Sequence, residues 1–147
     1  MSGRRAKSKG YRGEVEVIGL LLEIIREVYQ LHRAPVPELS RSPNGRDIRG
    51  IPWMAIEVKR HEPSIGYPEV TQTQIKQWWE QCKTQATDAQ TPVLFYRANH
   101  QPWRIRMFGY LQAGDSRIRA PVDIPIDIFA VWFKTKLNSQ FDWDKKS

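Results

Sequence analysis

Cysteine is nearly absent. The single Cys82 excludes an intramolecular disulfide framework, and no Cys/His cluster has the spacing of a zinc site. A reducing compartment is the expectation. Long apolar runs are missing as well: the basic start MSGRRAKSKGYRGE leads into a segment carrying Glu14, Glu16, Glu23 and Glu27, which breaks any stretch of signal-peptide or membrane-spanning type. The chain therefore reads as cytoplasmic, with no membrane partner. Internal repeats and low-complexity segments are absent too, so the organisation has to be read element by element. Acid is short relative to base: 16 Asp+Glu against 23 Lys+Arg leave a formal charge of +7, which favours a polyanionic partner through counterion release without naming it.

What is present is the material of one globular domain. The 147 residues, 40% hydrophobic with six Trp, are enough to bury a core without staples. Residues 1–10 form a basic, Gly- and Ser-containing arm, expected to be flexible, ahead of a folded domain over 11–147. From about Glu14 to His32 the apolar residues Ile18, Leu21, Leu22, Ile25, Val28 and Tyr29 share one helical stripe. Pro35 and Pro37 end that helix, and Leu39 to Ser42 read as a strand entering a Pro43-Asn44-Gly45 turn. Trp53 to Arg60 alternate, with Trp53, Ala55, Glu57 and Lys59 on one face and Met54, Ile56 and Val58 on the other. After a loop containing Pro63, Gly66 and Pro68, the stretch Val70 to Ala86 places Ile75, Trp78, Trp79, Cys82 and Ala86 on a second helical stripe. Pro92 to Arg97 and Trp103 to Tyr110 read as a hairpin of strands across Ala98 to Pro102. Asp127 caps a final helix with Phe129, Trp132, Phe133 and Lys136, although the run is rich enough in β-formers to allow a strand. The order α-β-β-β-α-β-β-α implies an α/β fold, a mixed sheet flanked by helices.

Three acids and a lysine stand out from this pattern. Strand alternation puts Glu57 and Lys59 on one face about 7 Å apart, so a carboxylate suited to a divalent metal and an ammonium suited to water or phosphate point into one cleft. An exposed pair on a wet strand face would look the same. Asp47, ten residues upstream in GRDIRGIP, enters that neighbourhood if the strands adjoin through a short connection, although Asp is also a favoured turn residue. At about 100° per residue Glu14 lies within the stripe of Ile18, Leu21 and Ile25, while Glu16 points nearly opposite, beside Glu23 and Glu27. An inward Glu at a helix start needs a reason, either a cap and dipole interaction or a site.

The segments SKGYRGE at 8–14 with the helix after it, RSPNGRDIRG at 41–50 and IEVK at 56–59 together resemble archaeal-type Holliday junction resolvases, within the wider PD-(D/E)XK nucleases. The similarity in layout runs from about Lys9 to Arg97. Arg46 stands where the family motif has proline before the aspartate. The resemblance implies a restriction-endonuclease-like fold and a Mg²⁺-dependent DNA endonuclease, Mn²⁺ substituting, with Glu14, Asp47 and Glu57 as metal ligands and Lys59 orienting the nucleophile or stabilising phosphate charge. It implies further a homodimer on branched or junction DNA, which suits a phage enzyme of recombination working in the host cytoplasm. Other repair, replication or restriction-type nucleases of the superfamily, and a non-catalytic DNA-binding module on the same fold, are the alternatives. On the second helix the QIKQW pattern matches the family's Gln at Gln74, whereas helical phase turns Gln72 toward Ile75 and Trp79. Arg4, Arg5, Lys7, Lys9 and Arg12, with Arg41, Arg46, Arg49 and Arg60, are candidate phosphate contacts beside the cleft.

Overall fold

The computed structural model describes residues 2–42, 47–61, 70–98 and 100–146, with side chains from Arg12 to Phe141. The expected Pro43-Asn44-Gly45 turn, Arg46, the loop of Pro63, Gly66 and Pro68, and the side chains of Arg4, Arg5, Lys7 and Lys9 lie outside the described residues. Among those described, the elements are α1 (Ser2–Leu31), β1 (Ser40–Arg41), β2 (Asp47–Arg49), β3 (Met54–His61), α2 (Gln72–Gln85), β4 (Thr91–Ala98), β5 (Arg104–Ala113), β6 (Ser116–Pro125) and α3 (Ile126–Lys146). They build one six-stranded sheet in the order β1-β2-β3-β4-β5-β6. Only β3 and β4 pair in parallel; the other neighbours are antiparallel. The parallel pair needs a crossover, and α2 supplies it. This is the mixed α/β sheet flanked by helices that the element order implied.

Each face of the sheet has its own core. Ile48, Met54, Ile56, Val58, Val93, Phe95, Ile105 and Met107 pack under α1 and α3, which contribute Val17, Leu21, Ile25, Phe129 and Phe133. The opposite face is smaller: Leu94 and Tyr96 meet Ile75, Trp79 and Cys82 of α2. Thr71 caps α2 through its hydroxyl, which accepts from the Gln74 N–H at 3.2 Å, while the Gln74 side chain accepts from the Thr71 N–H at 3.2 Å.

Four sequence expectations change. Helical backbone runs through residues 2–10, placed in an arm by the sequence, because Arg4, Arg5, Ala6, Lys7 and Lys9 are good helix formers that outweigh the glycines and serines among them. Trp53 precedes β3 in a turn and packs on Trp132 and Phe133 at ring-centroid distances of 6.0 and 6.1 Å. It therefore lies on the α3 side and not with Glu57, since strand alternation starts only at Met54. Glu16, expected on the solvent face, receives Arg97 at 2.7 and 2.8 Å and the Trp103 indole N–H at 3.1 Å, with Arg60 at 3.7 Å. The helix crosses the sheet there, so a residue off the apolar stripe still meets β3, β4 and Trp103 just ahead of β5. Finally, β6 was absent from the sequence reading. Its Pro121, Pro125 and three arginine or aspartate positions hide the alternation, and prolines are tolerated there because β6 is an edge strand.

Candidate active site

Asp47 and Glu57 are direct partners in the antiparallel register of β2 and β3, and Ile48 and Ile56 are the next pair. Alternation sends the isoleucines into the α1/α3 core and both carboxylates to the other face. Directly opposed residues hold their Cβ atoms about 5 Å apart, close enough for two carboxylates to share one cation. Lys59, two residues beyond Glu57, brings its Nζ to 3.4 Å from Glu57 Oε1. Glu57 is 1% exposed, and Lys59 is half-buried.

Glu14, on α1, lies within electrostatic reach of Asp47 and Lys59. It is 1% exposed and ion-paired with Arg41 of β1. The close seating of α1 makes this possible: a Cβ on Gly13 would stand 3.3 Å from Val58 Cγ1, so the glycine lets the helix lie tight on β3. Burial pushes the Glu14 carboxyl above its ordinary range; Arg41 opposes the rise by hydrogen bond and charge, Asp47 adds to it, and Lys59 opposes it. The helical phase that selected Glu14 over Glu16 thus brings it into the electrostatic neighbourhood of Asp47 and Lys59. Arg41, read from sequence as a phosphate contact, holds an acid of the site.

A cavity of about 300 Å³ adjoins the two strand acids, lined among others by Asp47, Arg49, Glu57, Cys82, Gln85 and Gln90. Cys82 lines it, with Sγ 3.7 Å from the Ala55 carbonyl oxygen. Burial and then the negative charge of Glu57 push its thiol up to about 12. Sequence placed Cys82 on the α2 stripe, but nothing in its pattern marked the neighbouring acid. Gln74 is engaged in the α2 cap, and Gln72 is exposed. Arg12 and Arg49 are exposed, and Arg60 turns to the Glu16 side.

A sequence model of the family described as "Phage putative PDDEXK endonuclease" matches residues 5–113. The chain belongs to this family. No curated protein and no solved structure gives a significant match. The matched span carries all four of Glu14, Asp47, Glu57 and Lys59 and the whole of β1 to β5. PDDEXK nucleases generally use divalent metals, and the donor set can be tested against one. Among the described residues no three of His, Cys, Asp and Glu gather closely enough to form a metal cage. Two opposed carboxylates are nevertheless what Mg²⁺ takes when phosphate oxygens and water complete its shell. The hard oxygen donors fit, and no helix among the described residues is long and apolar enough to cross a membrane.

Proposed function

We propose that this nuclease is a Mg²⁺-dependent, structure-selective endonuclease that hydrolyses phosphodiester bonds in branched DNA, with junction resolution as a homodimer in the host cytoplasm its leading role. The observation that carries the reading is the register pair Asp47–Glu57 with Lys59 on the same strand face. Asp47 and Glu57 would hold the metal, and Glu14 would approach it directly or through water. When bound, Mg²⁺ supplies a water acidic enough to attack at neutral pH and neutralises charge on the scissile phosphate; Mn²⁺ would substitute.

The chain's own groups do the rest. Lys59, anchored by Glu57, directs an ammonium at the attacking water or the phosphate oxygens, where fixed positive charge stabilises the charge that develops. Arg41 holds Glu14 in place and neutralises part of an acidic cluster that burial makes costly. The Arg12 and Arg49 side chains stand exposed for phosphates flanking the cut.

Purified protein with Mg²⁺ on labelled four-way junction, flap, single-stranded and linear duplex DNA tests the reading. Symmetric nicks in the junction support resolution. Duplex cutting at one sequence would favour a restriction-type enzyme, and no cleavage of any substrate across metals and salt would sink the nuclease reading altogether.

A further inference from the structure

The register carries the active-site face across the sheet as a single row, Asp47, Glu57, Leu94, Arg106 and Asp123, each the partner of the next. From that row β5 and β6 continue without β4, whose pairing with β5 covers only Arg104 to Arg106. The two strands stay paired with each other to Ala113↔Ser116 and close through Gly114 and Asp115. Gly114 has φ +60°, the conformation wanted at the first central position of a tight hairpin turn. Arg106 to Ala113 spans about 24 Å at ordinary strand rise, so the pair projects as a two-stranded arm.

The two faces of this arm differ in kind. On the face shared with Asp47 and Glu57 lie Phe108, Tyr110, Gln112, Arg117 and Arg119; the other carries Leu111, Ala113, Ser116, Ile118 and Ala120, with no charge. Both arginines lean back over aromatic rings: Arg117 is 4.7 Å from the Tyr110 centroid and Arg119 4.3 Å from that of Phe108. Stacking fixes the plane of a guanidinium while leaving its N–H edges to donate elsewhere. Residues 110–119 are all exposed, so these held arginines face solvent. Among the described residues the nearby acids do not neutralise them: Asp123 is taken by Arg106 at 2.6 and 2.8 Å, and Asp115 is at the tip.

We infer that the β5–β6 arm is a second contact for duplex DNA, in which Arg117 and Arg119 grip backbone phosphates away from the cut. This rests on the nuclease reading and adds to it a surface that the basic residues near the acids do not supply. The arm leaves the sheet at the end where β4 begins, and the cavity beside Asp47 and Glu57 reaches toward that end through Pro52, Gln85 and Gln90. A two-stranded ribbon is of a size that the DNA major groove admits. Three strand spacings and four residues of rise put Arg119 about 20 Å from Glu57, which is about six base pairs of duplex.

The test uses the full chain carrying Asp47→Asn, so that binding is read without cutting, and wild type for cleavage. Fluorescence anisotropy compares junction and duplex DNA having arms of about 4 or about 15 base pairs, over a salt series. Arg117→Gln with Arg119→Gln is expected to weaken binding to long-armed DNA about tenfold or more and to flatten the salt slope by about 2, while short-armed DNA is bound equally by both proteins. Arg117→Lys with Arg119→Lys, matched in melting temperature, is expected to restore most of the affinity. Unchanged affinity and slope in the Gln variant, with wild type still binding and cutting, overturns the arm alone. Loss of a dimer in Leu111→Ser with Ile118→Ser, with the Gln variant binding normally, also overturns it and assigns the arm to a second copy of the chain. Absence of DNA binding and cleavage in wild type removes the nuclease reading and the arm with it.

Discussion

Asp47 and Glu57 face each other across the β2–β3 pair, one residue out of step with Ile48 and Ile56, so the same register that seals the core also brings two acids together. A one-residue slip would turn the carboxylates into the apolar α1/α3 core and the isoleucines out of it, which ties the integrity of the site to that of the fold. Glu57→Gln keeps shape and volume while removing a buried charge. Cleavage is expected to fall about a hundredfold or more, with a melting temperature at or above that of wild type, because a buried carboxylate is held at a desolvation cost. Lys59→Ala should reduce the turnover rate more than DNA affinity. Single-turnover rates with parallel thermal melts check both.

Gly50 holds β2 where Asp47 needs it. Its φ is +126°, and a Cβ there would land on the Glu38 carbonyl oxygen and stand 2.7 Å from Leu39 Cδ2. Gly50→Ala is therefore strained twice, by conformation and by backbone contact. The expected result is a loss of about 2 kcal/mol or more in urea unfolding together with reduced cleavage, since β1 and β2 must part to admit the methyl. Gly19→Ala, where a Cβ meets nothing within 4 Å, is expected to leave stability equal or higher.

Glu14 gives a pH signature. Its carboxyl is raised by burial despite Arg41, so the folded protein binds that proton more tightly than the unfolded chain. The stabilising contribution of the protonated form is present at low pH and is lost as pH rises through the raised folded value. Glu14→Gln mimics the protonated form. Relative to wild type it should match stability near pH 4 and gain as pH climbs toward 7, as read by chemical unfolding at each pH. Mg²⁺ should raise the melting temperature of wild type more at pH 8 than at pH 5, since metal ligands must be deprotonated.

Glu16 is the hub of a second cluster, receiving Arg97, Arg60 and the Trp103 indole. Arg97 is 13% exposed, so Glu16→Ala leaves a largely buried guanidinium without its carboxylate. A cost of about 2 kcal/mol is expected, moderated by the partial exposure of Glu16 itself. Glu23→Ala, on the exposed side of α1, should be nearly neutral in the same denaturation assay.

The Cys82 thiol, buried and pushed up to about 12, should resist N-ethylmaleimide in the native protein at pH 8 and react on unfolding. Intact-mass spectrometry reads this directly. Rapid native labelling would mean that α2 opens away from Ala55 and Glu57.

The geometry of the candidate site is legible where a period fixes the direction of a side chain. Helical phase placed Glu14 inward and strand alternation paired Glu57 with Lys59, because 3.6 and 2.0 residues per repeat are properties of the backbone. Asp47 was less legible: its place depends on β2 pairing with β3, a contact between segments that carries no local signal. For the same reason Glu16 was misplaced, since helical phase tells which side leaves the stripe but not which strand ends lie beside it. Strand β6 escaped because prolines and charges suit an edge strand and erase the pattern by which strands are read. Arg41 could be seen as a basic residue near the cleft, but its pairing with Glu14 comes from the seating of α1 on β2 and β3, which brings Arg41 within reach.

The most direct test of the central claim is Mg²⁺-dependent cleavage of a labelled four-way junction by wild type and Asp47→Asn, with binding followed in the same samples. Wild type is expected to nick the junction only with the metal present, and the variant to bind it with near-normal affinity without cutting. A variant that cuts at the wild-type rate would contradict that claim, because Asp47 would then not belong to the site that β2 and β3 build.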